Sequence, residues 1–255
     1  MSTVFNAYAA YYDLLYQDKD YSAESKFVHE TLAKHGVSNK GQLLELGSGT
    51  GKHAEEFVNL GYKLNGVDMS AAMVDAANVR KSSNLAKNLE FVVGDVRDVR
   101  LNKRFDAVIS LFHVASYQTE NDELSAMFQT AAIHLERGGV FLFDCWYGPA
   151  VLTDRPVVRV KHMDNDSIEV LRIAEPEIHP NGNVVDVRYT VQVKQKGNGQ
   201  VTDLYEKHSM RYLFLPEVQL LLEQAGMRLV EHVEWLTGDT PGFQSWAAMF
   251  VAVKD

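Results

Sequence analysis

Residues Leu43 to Gly51 read LLELGSGTG, an apolar run that ends in a turn carrying Gly47, Gly49 and Gly51. Such a run predicts a strand that stops abruptly and a helix that begins at once, with backbone open to close approach by a ligand. Alone, the turn leaves nucleotide binders, flavoproteins and plain tight turns open. Its sequel narrows the choice. GVDMS puts Asp68 at the end of a second apolar stretch, about where a carboxylate reaches a ribose diol. FVVGDVRD ends a third strand at Asp95, FDAVISLF a fourth near Phe112, and LERGGVFLFD a fifth at Asp144. Acidic or polar positions thus fall just past the carboxyl ends of successive strands, where open parallel sheets bind ligands.

Helical stretches, Glu24 to His35 and the segment after Gly51, alternate with these strands in the order of a parallel sheet covered on both faces. The alternation stops at Asp144. Between Val157 and Tyr212 come VVRVKH, SIEVLRIAE, NVVDVRYTVQVKQ and VTDLYEKHSMRYLF, separated by turn residues at Asp164–Asp166, Pro180–Asn183 and Gly197–Gly199. These predict antiparallel hairpins. LPEVQLLLEQAG then predicts a helix with Pro216 near its start and Gly226 as its stop, and MRLVEHVEWL and WAAMFVAVK predict two closing strands. The expected division is residues 1–150 with 213–255 as a core, 1–40 being a helical lid, and 151–212 as an inserted subdomain.

A chain of 255 residues, 46% hydrophobic, can bury a full core and act as an enzyme alone. Its net charge of −9, with no long Lys/Arg block, argues against a nucleic-acid or anionic-membrane partner and for a small-molecule substrate. The single Cys145 and the lack of any 18-residue apolar run or export-like start lead to the expectation of a soluble, cytoplasmic chain without disulfides. No His, Cys or carboxylate cluster has metal-ligand spacing, so no metal is expected.

The series resembles the class I S-adenosylmethionine (SAM) methyltransferases. Glu45-Leu-Gly-Ser-Gly-Thr-Gly51 matches their first motif, Asp68 their ribose acid, Gly94-Asp95-Val96 their adenine-side motif, and Leu135-Glu-Arg-Gly-Gly139 the turn before their fifth strand. The spacing is G-x-G-x-G, not the G-x-G-x-x-G of nicotinamide and flavin enzymes. The resemblance implies an α/β, Rossmann-like seven-stranded fold with an inserted antiparallel sheet, and SAM as cofactor with S-adenosylhomocysteine as product. It implies that Glu45, Gly47, Ser48, Gly49 and Gly51 form the cradle, Asp68 holds the ribose, and Met69, Met73, Asp95, Val96 and Leu111 border the rest. Plainer readings stand beside these: a tight turn for the glycines, a helix N-cap for Asp68, core packing for Met73 and a turn carboxylate for Asp95.

YYDLLYQDKDYSAE, FDCWYGPAV and EKHSMRYLF extend the likeness, over nearly the whole chain, to the SAM-dependent N-methyltransferases of nucleotide-linked deoxyamino sugars. That resemblance implies that Tyr12, Tyr16 and Tyr21 lie in a segment covering the cofactor, with Tyr16 also toward the substrate. It implies a sugar site built with Trp146, Tyr147, Glu206 and His208, and a homodimer contact through the insertion. Where those enzymes place a basic residue near the substrate phosphates, this chain has Phe243-Gln-Ser-Trp246. A differently carried sugar or a small amine therefore stays open.

His113 follows the fourth strand, near where methyl and nucleophile meet in this fold; its imidazole either accepts a proton or bonds a neighbouring carbonyl. Tyr117 and Tyr12 either hold substrate and face the sulfonium or belong to the core. Glu206 and His208 share one face of their strand, with Tyr205, Lys207 and Ser209 on the other. If the first face covers the cofactor, the pair orients an amine or hydroxyl; otherwise it is a solvated edge. Arg172 and Arg211 either bind an anionic part of the substrate or pair with surface carboxylates. His134 falls where a helix ends and suits charge or hydrogen bonding there.

A sulfonium is already an activated methyl donor, so alignment comes first, worth roughly 7–11 kcal/mol. A general base adds about 10²–10⁴-fold. An amine with a pKa of about 7.7–8.0 has a substantial neutral fraction in the cell, whereas an alcohol, nearer water at about 15.7, needs a base. N-methylation is the expected reaction, with O-methylation and a non-catalytic SAM-binding domain as alternatives.

Overall fold

A computed structural model describes residues 14–81 and 87–255. The run QLLEL becomes strand β1 (Gln42–Leu46), four of its five residues buried. It pairs in parallel with β2 (Lys63–Asp68) and β4 (Phe105–Ser110); β3 (Leu89–Val93) extends the sheet beyond β2, and β5 (Leu135–Tyr147) beyond β4. The closing strands β10 (Met227–Glu234) and β11 (Ala247–Lys254) pair antiparallel, and β11 runs antiparallel to β5. The core order is therefore β3-β2-β1-β4-β5-β11-β10.

Successive strand residues serve opposite layers because side chains alternate across a strand. Leu43, Ala107, Leu142 and Met249 pack with α1 (Tyr21–Lys34), α2 (Lys52–Asn59) and α3 (Ala71–Arg80). Leu44, Val108, Phe141 and Phe250 pack with α4 (Asn121–His134) and α6 (Leu215–Gln224), which follows the short α5 (Gly148–Thr153) in the chain. Each fully buried Leu or Phe contributes roughly 1.5–3 kcal/mol, so the strands are fixed and their carboxyl ends become a stable platform. His134 closes α4 as a neutral group: burial lowers its pKa, its Nε2 accepts the Leu101 N–H at 3.0 Å, and Nδ1–H therefore donates to Thr130 O at 2.8 Å. Hydrogen bonding, not charge, is its role at that helix end.

The hairpins expected between residues 157 and 212 are β6 (Arg159–Asp164), β7 (Ile168–His179), β8 (Val184–Gln195) and β9 (Val201–Leu213), antiparallel throughout. Their turns use the residues that signalled them: Asn165 Oδ1 accepts the Ser167 and Ile168 N–H groups, and Asn198 Oδ1 that of Gln200. The insertion is not detached from the core. At its end β9 pairs in parallel with β5 through Trp146–Tyr212 and Tyr147–Leu213, making one sheet of eleven strands. Among the described residues no helix is long and apolar enough to cross a membrane.

His232, on β10, stacks on Phe250 at 4.3 Å between ring centres, and its buried Nε2 has no hydrogen-bond partner among the described residues. Burial pushes its pKa down from 6.5 to about 4. Between these values the unfolded chain binds a proton that the folded chain refuses. The site's contribution to stability is thus complete above pH 6.5 and is lost as pH falls toward 4. In urea titrations across that window His232→Phe is expected to lose less stability than the wild type; identical losses would mean that the native imidazole is already charged.

Candidate active site

The carboxyl ends of β1, β2 and β4 open into a cleft of about 1380 Å³, its solvent mouth included. After β1 the chain turns back sharply: Gly47 and Ser48 donate their N–H groups to Val67 O at 2.8 and 2.9 Å, and Gly47 has φ +82°. The Gly49 N–H donates to Asp68 Oδ2 and the Ser70 N–H to Asp68 Oδ1, each at 2.9 Å. Asp68 is not the cap of α3. Ser70 holds that position, accepting the Met73 N–H.

Two carboxyls are buried close together here. Burial, and then the nearby Asp68 charge, raise the Glu45 pKa well above the usual range; burial also raises Asp68, against the pull of its Ser70 and Gly49 hydrogen bonds. Such a site favours hydrogen-bond donors and positive charge over a further anion. Glu45 Oε2 and Ser48 Oγ are buried without a hydrogen-bond partner among the described residues. A carboxylate has about four acceptor positions, so Asp68 retains capacity for hydroxyl donors.

Asp95 also borders the cleft but is held by Arg97, whose Nε and backbone N–H both donate to Oδ1 at 2.9 Å. That hydrogen bonding keeps the Asp95 pKa below its ordinary value. Arg97 in turn pairs with Glu123. Met69, Met73, Val96 and Leu111 supply apolar wall.

At the end of β4 the backbone passes through two consecutive left-handed residues, Phe112 (φ +65°) and His113 (φ +64°). Each costs on the order of 1–3 kcal/mol, a strain that persists only where surroundings enforce it. The 3₁₀ turn Val114–Tyr117 follows and carries Tyr117 into the cleft. There the Tyr117 hydroxyl meets His208 Nδ1 at 2.8 Å, and His208 Nε2 lies 3.4 Å from Glu206 Oε2. Burial pushes the Tyr117 pKa well up, so its phenol stays protonated. Glu206 and His208 are 6% and 4% exposed while Tyr205, on the opposite face, is 76% exposed, which settles the two-faced reading of β9.

Of the other expected residues, Tyr16, Tyr21 and Trp146 line the cleft. Tyr16 packs edge-on against Phe112, and Tyr21 edge-on against His53, which is bonded to the buried Glu24 of α1. Lys161 Nζ donates to Leu15 O, tying the segment before α1 to β6. Tyr12 lies outside the described residues. Glu45 and Gly51 are buried and are not among the residues lining the cleft, and Arg172 lies over the Tyr189 ring at 4.9 Å.

Two expected substrate contacts stand elsewhere. Tyr147 belongs to the core beside α6, because it follows Trp146 on one strand and must face the opposite way. Arg211 is taken up by Asn121 Oδ1 and Glu217 Oε2, both at 2.8 Å. Phe112, Arg97 and Tyr189 line the cleft without having been expected. The alternation of NVVDVRYTVQVKQ carried the signal for Tyr189, which shares a face with buried Val187 and Val191. Among the described residues no cluster could hold a metal ion.

Residues 43–139 match the methyltransferase-domain family. The chain is 30% identical over 237 residues to the dTDP-3-amino-3,4,6-trideoxy-alpha-D-glucopyranose N,N-dimethyltransferase of Streptomyces venezuelae, covering 92% of this chain and 94% of that one. It is 26% identical to the dTDP-4-amino-2,3,4,6-tetradeoxy-D-glucose N,N-dimethyltransferase of Saccharopolyspora spinosa, over 97% of this chain and 93% of the relative. Among solved structures, Streptomyces venezuelae DesVI superposes with a TM-score of 0.79 at 26% identity, with 97% of this chain and 98% of that chain covered.

Proposed function

The chain belongs to the SAM-dependent methyltransferases, and from that premise we propose that it methylates the amino nitrogen of a nucleotide-linked deoxyamino sugar. The observation that carries this reading is the convergence, in the cleft above the glycine loop, of His113, Tyr117 and His208 from two different parts of the sheet. Two relatives alike over nearly the full chain are named for dTDP-amino sugars.

The cleft fits the cofactor, since its buried carboxyls favour a cation bearing hydroxyl donors and Ser48 Oγ has no partner among the described residues. Gly47, Ser48 and Gly49 are proposed to hold its amino-acid end and Asp68 its ribose, with Met69, Met73, Asp95, Val96 and Leu111 around the adenine. When bound, SAM supplies a methyl group on a sulfonium.

The chain's own residues hold the acceptor. A neutral amine presents one lone pair, and hydrogen bonds from its N–H groups to His113 Nε2 or to the Tyr117 oxygen fix where that lone pair points. His113 then takes the proton that the nitrogen sheds. Tyr16 and Tyr21 exclude water from above, Trp146 forms the sugar-side wall, and Glu206 holds His208 against Tyr117.

If positioning dominates, His113→Ala or His208→Ala lowers kcat by no more than about 10²-fold, and the rate still rises through the acceptor's own pKa. A loss near 10⁴-fold favours a hydroxyl acceptor, a reading for which the Tyr117–His208–Glu206 chain is the specific support. Product analysis showing methyl on oxygen ends the amine reading. The same proposal includes a cytoplasmic location, the division of the chain into core and insertion, and a homodimer through the inserted sheet. Exposed Val158, Val160 and Tyr205 offer apolar surface for that contact. Sedimentation showing only monomer at micromolar concentration removes the dimer.

A further inference from the structure

We infer that Asp144 is a positioning residue for His113, fixing both the turn that carries the imidazole and the ring nitrogen that bears the proton; the inference rests on the methyl-transfer reading above. Asp144 sits near the carboxyl end of β5 and is 1% exposed. A carboxylate so buried needs donors. His113 supplies one: its backbone N–H lies 3.1 and 3.2 Å from the two oxygens, while its Nδ1 stands 2.7 Å from Oδ2 as a close charge contact not aligned as a hydrogen bond.

The turn itself calls for such an anchor. Phe112 and His113 are consecutive non-glycine residues with positive φ, a conformation that relaxes unless something holds it. The turn is also braced by the Ser116 N–H on His113 O at 2.9 Å, by Ser116 Oγ accepting the Trp146 N–H and by Tyr16 packed edge-on against Phe112, but none of these holds the His113 ring. Asp144 reaches it from a different strand, 31 residues on.

The ring contact decides the tautomer. An unprotonated Nδ1 would bring a nitrogen bearing a lone pair to 2.7 Å from an anionic oxygen, a repulsion that a proton on Nδ1 removes even though the contact is not aligned as a hydrogen bond, so the proton belongs on Nδ1. Nε2 is then left with its lone pair free for an N–H of the acceptor, the role proposed for it. Without Asp144 the ring can carry its proton on Nε2, and that nitrogen donates where it should accept.

The test combines ¹⁵N NMR of the neutral imidazole, assigned with His113→Gln, with kinetics on the full chain. The wild type is expected to show Nδ1–H. Asp144→Asn is isosteric and keeps one oxygen for the backbone N–H, but turns an amide NH₂ toward Nδ1, so the proton moves to Nε2. Its kcat is expected to fall about 10- to 100-fold, with KM for SAM and affinity for S-adenosylhomocysteine held within about twofold. Asp144→Glu, which keeps the charge, should retain Nδ1–H.

An Nε2–H tautomer in the wild type overturns the inference. So does a proton shift without loss of kcat, or a loss of kcat matched by equal losses of cofactor affinity and Tm, the mark of a merely structural acid. The two readings fail separately: a wild type inactive on every amino sugar, with a tautomer that still depends on Asp144, defeats the acceptor and leaves the positioning role standing.

Discussion

Replacing Asp68 by Ala is expected to weaken binding of SAM and S-adenosylhomocysteine by about 3 kcal/mol or more, at roughly 1.5–3 kcal/mol for each hydrogen bond to a charged group. That is a loss of at least about 100-fold in affinity. The side chain does two things at once. It offers acceptor positions to the ribose hydroxyls, and through its bonds to the Gly49 and Ser70 N–H groups it ties the glycine loop to the start of α3. Asp68→Asn separates these roles, because one oxygen can keep a loop contact while the second becomes a donor. Titration calorimetry checks both variants. Asp68→Ala binding within threefold of the wild type, or a wild type that binds NAD tightly instead, would sink the assignment of this cleft.

Gly47→Ala is expected to cost stability and activity together. Its φ of +82° already imposes roughly 1–2 kcal/mol on any residue with a Cβ. The added Cβ would also lie 2.4 Å from Cγ2 and 2.7 Å from Cγ1 of Val114, an overpacking worth about 1–3 kcal/mol. Val114 is the first residue of the turn bearing Tyr117 and directly follows His113, so relief of the clash displaces the residues proposed to hold the acceptor. In a double-mutant cycle, Val114→Ala should recover the overpacking part and leave the backbone part. A single variant within about 0.5 kcal/mol of the wild type by denaturant unfolding, the range of ordinary surface changes, would show that the loop and the turn are not in contact.

What could be read from the sequence was whatever is written locally. Apolar runs ending in Gly47, Asp68 and Asp95 marked the strand ends, because buried parallel strands leave continuous hydrophobic stretches. Alternation along EKHSM was enough to put Glu206 and His208 on one face, and the structure shows that face to be buried. The same rule, applied to Trp146 and Tyr147, forbids both from facing the cleft, so strand alternation alone rules out one member of that pair as a substrate contact.

Long-range pairings were not legible. Nothing in the spacing says that Arg97 takes Asp95 together with Glu123 from α4, that Arg211 spends its charge on Glu217, or that Asp144 reaches His113. Each depends on which strand ends become neighbours, which the core order decides and the local pattern does not. The short α5 was missed for another reason: with six residues, it has too few turns to show a helical period.

Because β9 is stitched to β5 at Trp146 and Tyr147, within three residues of Asp144, the wall facing the acceptor takes its orientation from the strand that also anchors His113. Hairpin tips such as Asn165 and Asn198 lie far along the strands from that seam. A lineage can therefore lengthen a hairpin or exchange its outer face and leave the donor apparatus untouched, provided Met163, Val170 and Val191 still pack with Met73. The outer hairpins are the interchangeable part, and two backbone rungs, with the Lys161–Leu15, Tyr117–His208 and Arg211–Glu217 contacts, are their mounting.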